Sequence, residues 1–438
     1  MDESRVGSAR IVIVGAGFAG YYAARTLLKL VGRTAEIVLI NPTDYFLYLP
    51  LLPEVAAGVL EPRRICVSLP QRLPGVRLVL GKVDAIDLER ESVSWTDPEG
   101  VRDEMDYDRL ILAAGSVNKL LPVPGVSEHA HGFRGIAEAL YLRDHITRQI
   151  ELAATTRDSE ERDARCTFVV VGAGYTGTEV AAQGQLFTAR LARRVPALRH
   201  QRMRWMILDI APRLLPELDP RLSVTAERVL RKRGVEVRTE QSIERAVSNS
   251  ARLTNGEEVP NRSLIWCVGV RPDPLVAGMR LETQRGRLVV DEFLSVPRYP
   301  NVFACGDCAA VPDLTRPGEL TAMTAQHAER QGKLVAANVV ASLTTNAGVD
   351  DSKRKPYRHR DLGFLVDLGG ASAAANPLNV PLSGVPAKAV TRAYHLLSLP
   401  GNRIRTASDW SINAVMPPQT VQLGLVRATA VPLDSDRT

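Results

Sequence analysis

The sequence predicts an α/β protein with two Rossmann-like dinucleotide-binding domains and a C-terminal α+β region. Three observations predict it. The apolar run Ile11–Val14 leads into Gly15–Ala16–Gly17–Phe18–Ala19–Gly20. A second run, Phe168–Val171, leads into Gly172–Ala173–Gly174–Tyr175–Thr176–Gly177. Each signature is followed by a helix-like stretch and a further apolar strand that ends in a polar residue, Asn41 in one case and Asp209 in the other. Two such signatures imply two bound dinucleotides, and two dinucleotides imply electron transfer between them.

The β-branched runs are apolar on both faces, as a buried parallel strand requires. Gly15 and Gly172 allow the tight strand-to-helix turn. Gly17 and Gly174 let backbone approach a pyrophosphate, and Gly20 and Gly177 let the helix pack against the strand. Free N–H groups at the helix start favour the phosphate charge. In the first unit, strand Glu36–Ile40 ends at Asn41, where an amide replaces the carboxylate expected to hold ribose hydroxyls. In the second, strand Trp205–Leu208 ends at Asp209. A carboxylate there accepts from a 2′-hydroxyl and repels a 2′-phosphate, favouring NADH over NADPH. Arg213 opposes this, because an arginine can hold a phosphate.

Between the signatures lies Tyr45–Glu54, apolar and aromatic, with prolines that forbid a long helix. It reads either as a loop covering the core or as a wall beside a flat ring. Strands follow at Val76–Leu80, Ala85–Leu88, Ser92–Trp95 and Tyr107–Ser116, the last ending in small residues that permit close approach to a ligand. Leu121–Gly125 reads as a linker. In the second unit a helix precedes the strand Cys166–Val171, and later strands are Val235–Arg238 and Ser263–Gly269. Arg287–Asp291 begins a return to the first domain. Pro300–Ala309 is a strand ending in Gly306–Asp307, a carboxylate placed to accept from a polyol. A helix is predicted over Thr321–Val340, extended segments and a mixed apolar and basic stretch, Ala387–Arg405, come after it, and the polar tail Pro432–Thr438 reads as disordered.

The chain has 438 residues and a net charge of +6, which permits attraction to an anionic membrane face. No nucleic-acid recognition motif appears, so that partner is set aside. No apolar run reaches the roughly 18 residues that span a bilayer. Met1–Arg10 lacks a signal-peptide core, so a cytoplasmic protein is expected. Five cysteines do not form a secreted disulfide framework, and no metal site is expected. Cys305 and Cys308 have redox-motif spacing, but they read as small residues flanking Gly306–Asp307.

Together these features resemble the two-dinucleotide flavoproteins, and within them the type II NADH dehydrogenases, which are NADH:quinone oxidoreductases. The marks are Gly15–Gly20, Ala113–Ala114–Gly115, Gly172–Glu179, Cys267–Val268–Gly269, Val302–Ala309 and Ala325–Gln326–His327–Ala328. The resemblance implies FAD in a discontinuous domain, 1–122 with 287–345, NADH in 123–286, and a membrane-surface or dimer contact in 346–438. It implies adenine-ribose contacts near Asn41, an adenine contact at the backbone of Val83, and Ala114 and Gly115 beside the flavin diphosphate. Asp307 would hold the ribityl chain or phosphate. Tyr175, Thr176 and Gly269 fall in the NADH seat. Glu179 would stand by the nicotinamide and flavin, orienting the one or relaying a proton. Gln326 matches the first glutamine of the quinone-site motif.

That resemblance implies a respiratory-chain enzyme held peripherally on the cytoplasmic face of the membrane, with a homodimer as one arrangement and menaquinone or ubiquinone as acceptor. Two departures matter. Arg330 stands where the motif usually has its second glutamine, and Gln331 is shifted by one residue, about 100° around a helix. The C-terminal stretches Ala387–Val390, Tyr394–Leu399 and Trp410–Val415 are only moderately apolar and are interleaved with Arg392, Arg403 and Arg405. This suits shallow, charge-assisted docking. A reductase for a soluble acceptor and a slow redox-sensing flavoprotein remain as rival readings. His327 reads as a packing histidine.

Overall fold

The computed structural model describes residues 9–343, 353–359, 362–416 and 420–434. It divides into two compact units. The first comprises 1–47, 66–117 and 271–360, and the second 48–65, 118–270 and 361–438.

The first unit is built on a six-stranded sheet, in the order Ser295–Val296, Tyr299–Ala304, Arg109–Leu112, Ala9–Val14, Ala35–Asn41, Arg77–Leu80. All neighbours run parallel except the outermost pair, Ser295–Val296 with Tyr299–Ala304. Ile11, Val12 and Ile13 have no exposed surface, as a strand covered on both faces requires. Helix Phe18–Val31 returns along the sheet, packed against helix Ala325–Leu343. That second helix was expected over Thr321–Val340 and starts four residues later. An antiparallel meander, Lys82–Asp87, Ser92–Thr96 and Arg102–Asp106, completes this unit.

The second unit repeats the plan. Its five-stranded sheet runs Ala130–Gly132, Ser263–Trp266, Thr167–Val171, Arg204–Leu208, Val235–Arg238, parallel throughout. Helix Tyr175–Arg194 follows the glycine signature. A small antiparallel sheet, Leu365–Asp367, Ala373–Ala375 and Leu382–Ser383, leads into helices Gly384–Ser398 and Arg403–Val415. Tyr45–Glu54 forms a short strand Tyr45–Leu47, then a 3₁₀ turn Leu49–Leu51 and a short helix Leu52–Ala56, broken by its prolines as expected.

The expectation for the tail needs correcting. Leu433 is only 2% exposed and joins the core formed by Val126, Val169, Met206 and Trp266. An apolar side chain within reach of that core outweighs the polar neighbours that suggested disorder. Residues 435–438 and Met1–Ser8 lie outside the described residues.

Candidate active site

Both glycine turns are packed to the limit. A Cβ on Gly15 would fall 2.5 Å from the carbonyl oxygen of Ala113, and one on Gly20 would fall 1.8 Å from that of Gly15. Gly172 and Gly177 are confined in the same way, at 2.2 Å from the Cys267 oxygen and 1.9 Å from the Gly172 oxygen. By contrast, nothing lies within 4 Å of a Cβ on Gly17, Gly115, Gly174 or Gly269. Gly17 and Gly174 also cap helices Phe18–Val31 and Tyr175–Arg194 without any side-chain hydrogen bond. Open space before an uncapped helix start is what a pyrophosphate needs, and the residues present fit a dinucleotide in each unit.

In the first unit the buried Asn41 accepts from the Ala16 N–H at 2.8 Å through Oδ1, and its Nδ2 donates to the Thr43 carbonyl at 2.8 Å. The amide therefore braces the glycine turn. Ala19 lies buried on the first helical turn, and Phe18 sits edge-on to Phe46 at 4.9 Å. Val83 is buried in the meander opposite Trp95, and Ala114 and Gly115 follow strand Arg109–Leu112. The half-buried Asp307 accepts from Ser116 Oγ at 2.6 Å. Gly306, just before it, donates its N–H to Gln331 Oε1 at 2.7 Å, and Gln331 Nε2 donates to Thr321 Oγ1 at 3.1 Å.

In the second unit Asp209 Oδ2 accepts from the Ala173 N–H at 2.5 Å and Oδ1 from the Ala211 N–H at 2.8 Å. Arg213 donates to the carbonyls of Leu218 and Pro216, at 2.8 and 2.5 Å. Its guanidinium is thus committed to its own loop, which weakens the case for a 2′-phosphate. Tyr175 stacks on Phe364 at 5.4 Å, and Thr176 is exposed.

Glu179, on the first turns of helix Tyr175–Arg194, belongs to a cluster that sequence reasoning missed. Its Oε1 accepts from the Asp367 N–H at 2.8 Å. Asp367 accepts from Gln183 Nε2 at 3.3 Å and Gly369 N–H at 2.7 Å, and pairs with Lys388. Lys388 Nζ also lies 3.7 Å from Glu54 Oε1, and Glu54 accepts from the Trp410 indole. Beside them His395 Nδ1 meets the Tyr48 hydroxyl at 3.1 Å. Burial, reinforced by the charge of Asp367, pushes the Glu54 carboxyl up to about 7. Burial also holds Glu179 well above the usual carboxylate range, despite the Asp367 N–H that stabilises its anion. Burial thus favours the neutral, proton-holding forms of Glu54 and Glu179 in this dry cluster.

Helix Ala325–Leu343 carries the remaining candidates. Gln326 is half-buried on its first turn. Arg330, one turn on, donates to His359 Nδ1 at 2.9 Å. Gln331 is fully buried, so the one-residue shift turns it into the core, where it pins Gly306. His327 is buried, bonded to the Tyr357 hydroxyl at 2.9 Å and stacked on His359 at 3.8 Å, in keeping with a packing role. Cys305 and Cys308 have no exposed surface, and burial pushes the Cys308 thiol up to about 11, away from the thiolate that redox exchange needs.

The doubled dinucleotide seat defines a pyridine-nucleotide oxidoreductase, and residues 9–332 match the pyridine nucleotide-disulphide oxidoreductase family. Within it, the chain belongs to the type II NADH:quinone oxidoreductases. It is 33% identical to the type II NADH:quinone oxidoreductase NdhA of Mycobacterium tuberculosis, over 94% of this chain and 88% of that one. It is 29% identical to the demethylphylloquinone reductase NdbB of Synechocystis, over 89% and 92%. NDH2 from Plasmodium falciparum, solved in complex with NADH, superposes with a TM-score of 0.86 over 94% of this chain and 100% of that one. At 19% identity that likeness concerns the fold.

Proposed function

We propose that the chain passes two electrons from NADH through FAD to a quinone. The overall reaction takes NADH, one proton and quinone to NAD⁺ and quinol, so the second proton comes from the protein or solvent. The observation that carries this reading is the buried cluster around Glu179, which supplies groups able to hold that proton near neutral pH. FAD, when bound, accepts the hydride and returns the electron pair to an acceptor. On this reading Gly15–Gly20, Asn41, Ala114, Gly115 and Asp307 hold FAD, with Val83 beside the adenine. Gly172–Gly177, Asp209 and Gly269 hold NADH. Glu179 relays the proton, and Gln326 orients the acceptor.

Peripheral docking on the cytoplasmic face of a membrane accompanies it. Among the described residues no helix is long and apolar enough to cross a bilayer. Helices Gly384–Ser398 and Arg403–Val415 instead expose Leu397 (73%), Ile404 (84%) and Val415 (86%), near the exposed Arg403 and Arg405. Apolar tips beside arginines suit an anionic lipid surface. Sedimentation with phosphatidylglycerol vesicles, lost in Ile404→Glu, would support docking. Self-association with no vesicle binding would assign the patch to a homodimer.

The test of the function is anaerobic reduction by NADH, then mixing with menaquinone, ubiquinone or a protein acceptor while flavin absorbance is followed. Rapid reoxidation by a quinone is expected. Gln326→Leu should slow that step and spare flavin reduction; if both steps slow together, the acceptor site is misplaced.

A further inference from the structure

Arg287 opens the short strand Arg287–Val289 and is 6% exposed. A buried guanidinium normally faces a carboxylate. Here no carboxylate lies within ion-pair distance among the described residues, and Nε has no hydrogen-bond partner. Nη1 donates to the Thr321 carbonyl at 2.7 Å.

Its surroundings converge on the Gly306–Asp307 turn. Strand Arg287–Val289 pairs in parallel with Ala309–Ala310, Leu288 opposite Ala309, which sets Arg287 beside Cys308. Thr321, which takes the Arg287 bond through its carbonyl, takes the Gln331 amide through its hydroxyl, and Gln331 holds Gly306. Burial destabilises the Arg287 cation, the Asp307 carboxylate restores part of the loss, and Arg285 opposes it. A charge taken out of water without a close partner is costly in general. Such a group is kept where an anion completes it.

We infer that Arg287 is the buried countercharge of the flavin seat, supplying the positive charge that lets a dinucleotide phosphate bind beside the carboxylate of Asp307. The inference rests on the assignment of FAD to the first unit. Arg287 is a cofactor-binding residue that the glycine signature does not reveal, because it belongs to neither the turn nor its helix.

The sign of its effect on stability separates this role from a structural one. Removing an uncompensated buried charge should leave the flavin-free fold no less stable, while the flavin-bound state weakens. The experiment compares the holoenzyme with Arg287→Met and Arg287→Lys, reading flavin release on dilution by fluorescence and unfolding of flavin-stripped protein by circular dichroism. Arg287→Met should release FAD at least tenfold faster with an unchanged or higher flavin-free melting temperature. Arg287→Lys, which keeps the charge, should fall between it and the parent. Retention of FAD by Arg287→Met as in the parent overturns the proposal. So does flavin loss by Arg287→Lys as complete as by Arg287→Met, including the case where Arg287→Met fails to fold. Gly17→Val, which fills the open phosphate space, guards the underlying assignment. If Gly17→Val keeps its flavin, FAD does not sit in the first unit; if it loses flavin while Arg287→Met does not, only the role of Arg287 falls.

Discussion

Asn41 and Asp209 make the same bond in the two units: each accepts the N–H of the alanine inside its glycine signature, Ala16 in one and Ala173 in the other. The polar residue that ends the second strand thus braces the phosphate turn, whatever else it contacts. An amide suffices for that bond, as Asn41 shows, whereas the Asp209 carboxylate also accepts the Ala211 N–H through its other oxygen.

Asp209→Asn keeps an oxygen for the Ala173 N–H, removes the charge and gives up the second acceptor, the one that takes the Ala211 N–H. It should narrow the preference for NADH over NADPH about tenfold, the order expected when one charge repulsion is lifted. The ratio of kcat/KM for the two donors measures it. Asp209→Ala should raise the NADH KM further, because the turn loosens as well. An unchanged ratio in Asp209→Asn would remove the ribose assignment.

Glu179→Gln mimics the protonated carboxyl, and its carbonyl oxygen can still accept from the Asp367 N–H. The fold should hold and flavin reduction by NADH should stay near the parent rate. Reoxidation by quinone should slow by about 10²-fold, the usual scale for loss of a proton-transfer group. Stopped-flow measurement of the two half-reactions separates them. Equal slowing of both would point to a role in positioning NADH instead.

Asp307→Ala should lower FAD occupancy, read from the flavin-to-protein absorbance ratio. Ser116→Ala removes only the 2.6 Å hydroxyl donor to that carboxylate and should weaken retention by about 1 kcal/mol. Full yellow occupancy in Asp307→Ala would count against its role.

Acid should destabilise the protein through its buried histidines. Burial depresses His131, His327 and His395 to about 4, against an ordinary value of 6.5, and holds His145 well below that ordinary value. Their contribution is full above pH 6.5 and is lost as pH falls towards 4, because the unfolded chain then binds the protons that the fold refuses. Glu54, raised to about 7, works in the opposite sense and loses its contribution as pH rises from about 4.5 through 7. Melting temperature against pH should fall below 6.5. His131→Phe should make that fall shallower by up to about 1.4 kcal/mol per pH unit, one proton's worth. Parallel curves would show that His131 does not contribute.

The two seats were legible in the sequence because their geometry is local. Gly15 to Gly20 and Gly172 to Gly177 are each fixed by contacts within one turn and an adjoining strand, and those glycines stand close together in the chain. The acid–base cluster was not legible, because Glu54, Glu179, Asp367 and Lys388 lie far apart in sequence and only Glu179 had a motif to mark it. Helical periodicity alone shows that Gln331 faces differently from the motif position held by Arg330, but not that it pins Gly306, a residue on another element. Leu433 was masked by polar neighbours, since one buried leucine carries no pattern. A cue for Arg287 existed, an arginine at the head of a short apolar strand, but burial alone reveals that it lacks a carboxylate.

The sheet order of the first unit bears on how the chain is made. Strand Tyr299–Ala304 pairs with Arg109–Leu112. Residues 113–298 must therefore be synthesised before that neighbour exists, and they include every strand of the second unit's five-stranded sheet. On the ribosome the five-stranded sheet of the second unit is then complete, while the sheet of the first unit still lacks a strand and the Gly306–Asp307 turn. Closing such distant pairings late is slow. With FAD assigned to the first unit, its capture is a late event in biogenesis, and a nascent chain stalled before residue 299 should hold no flavin.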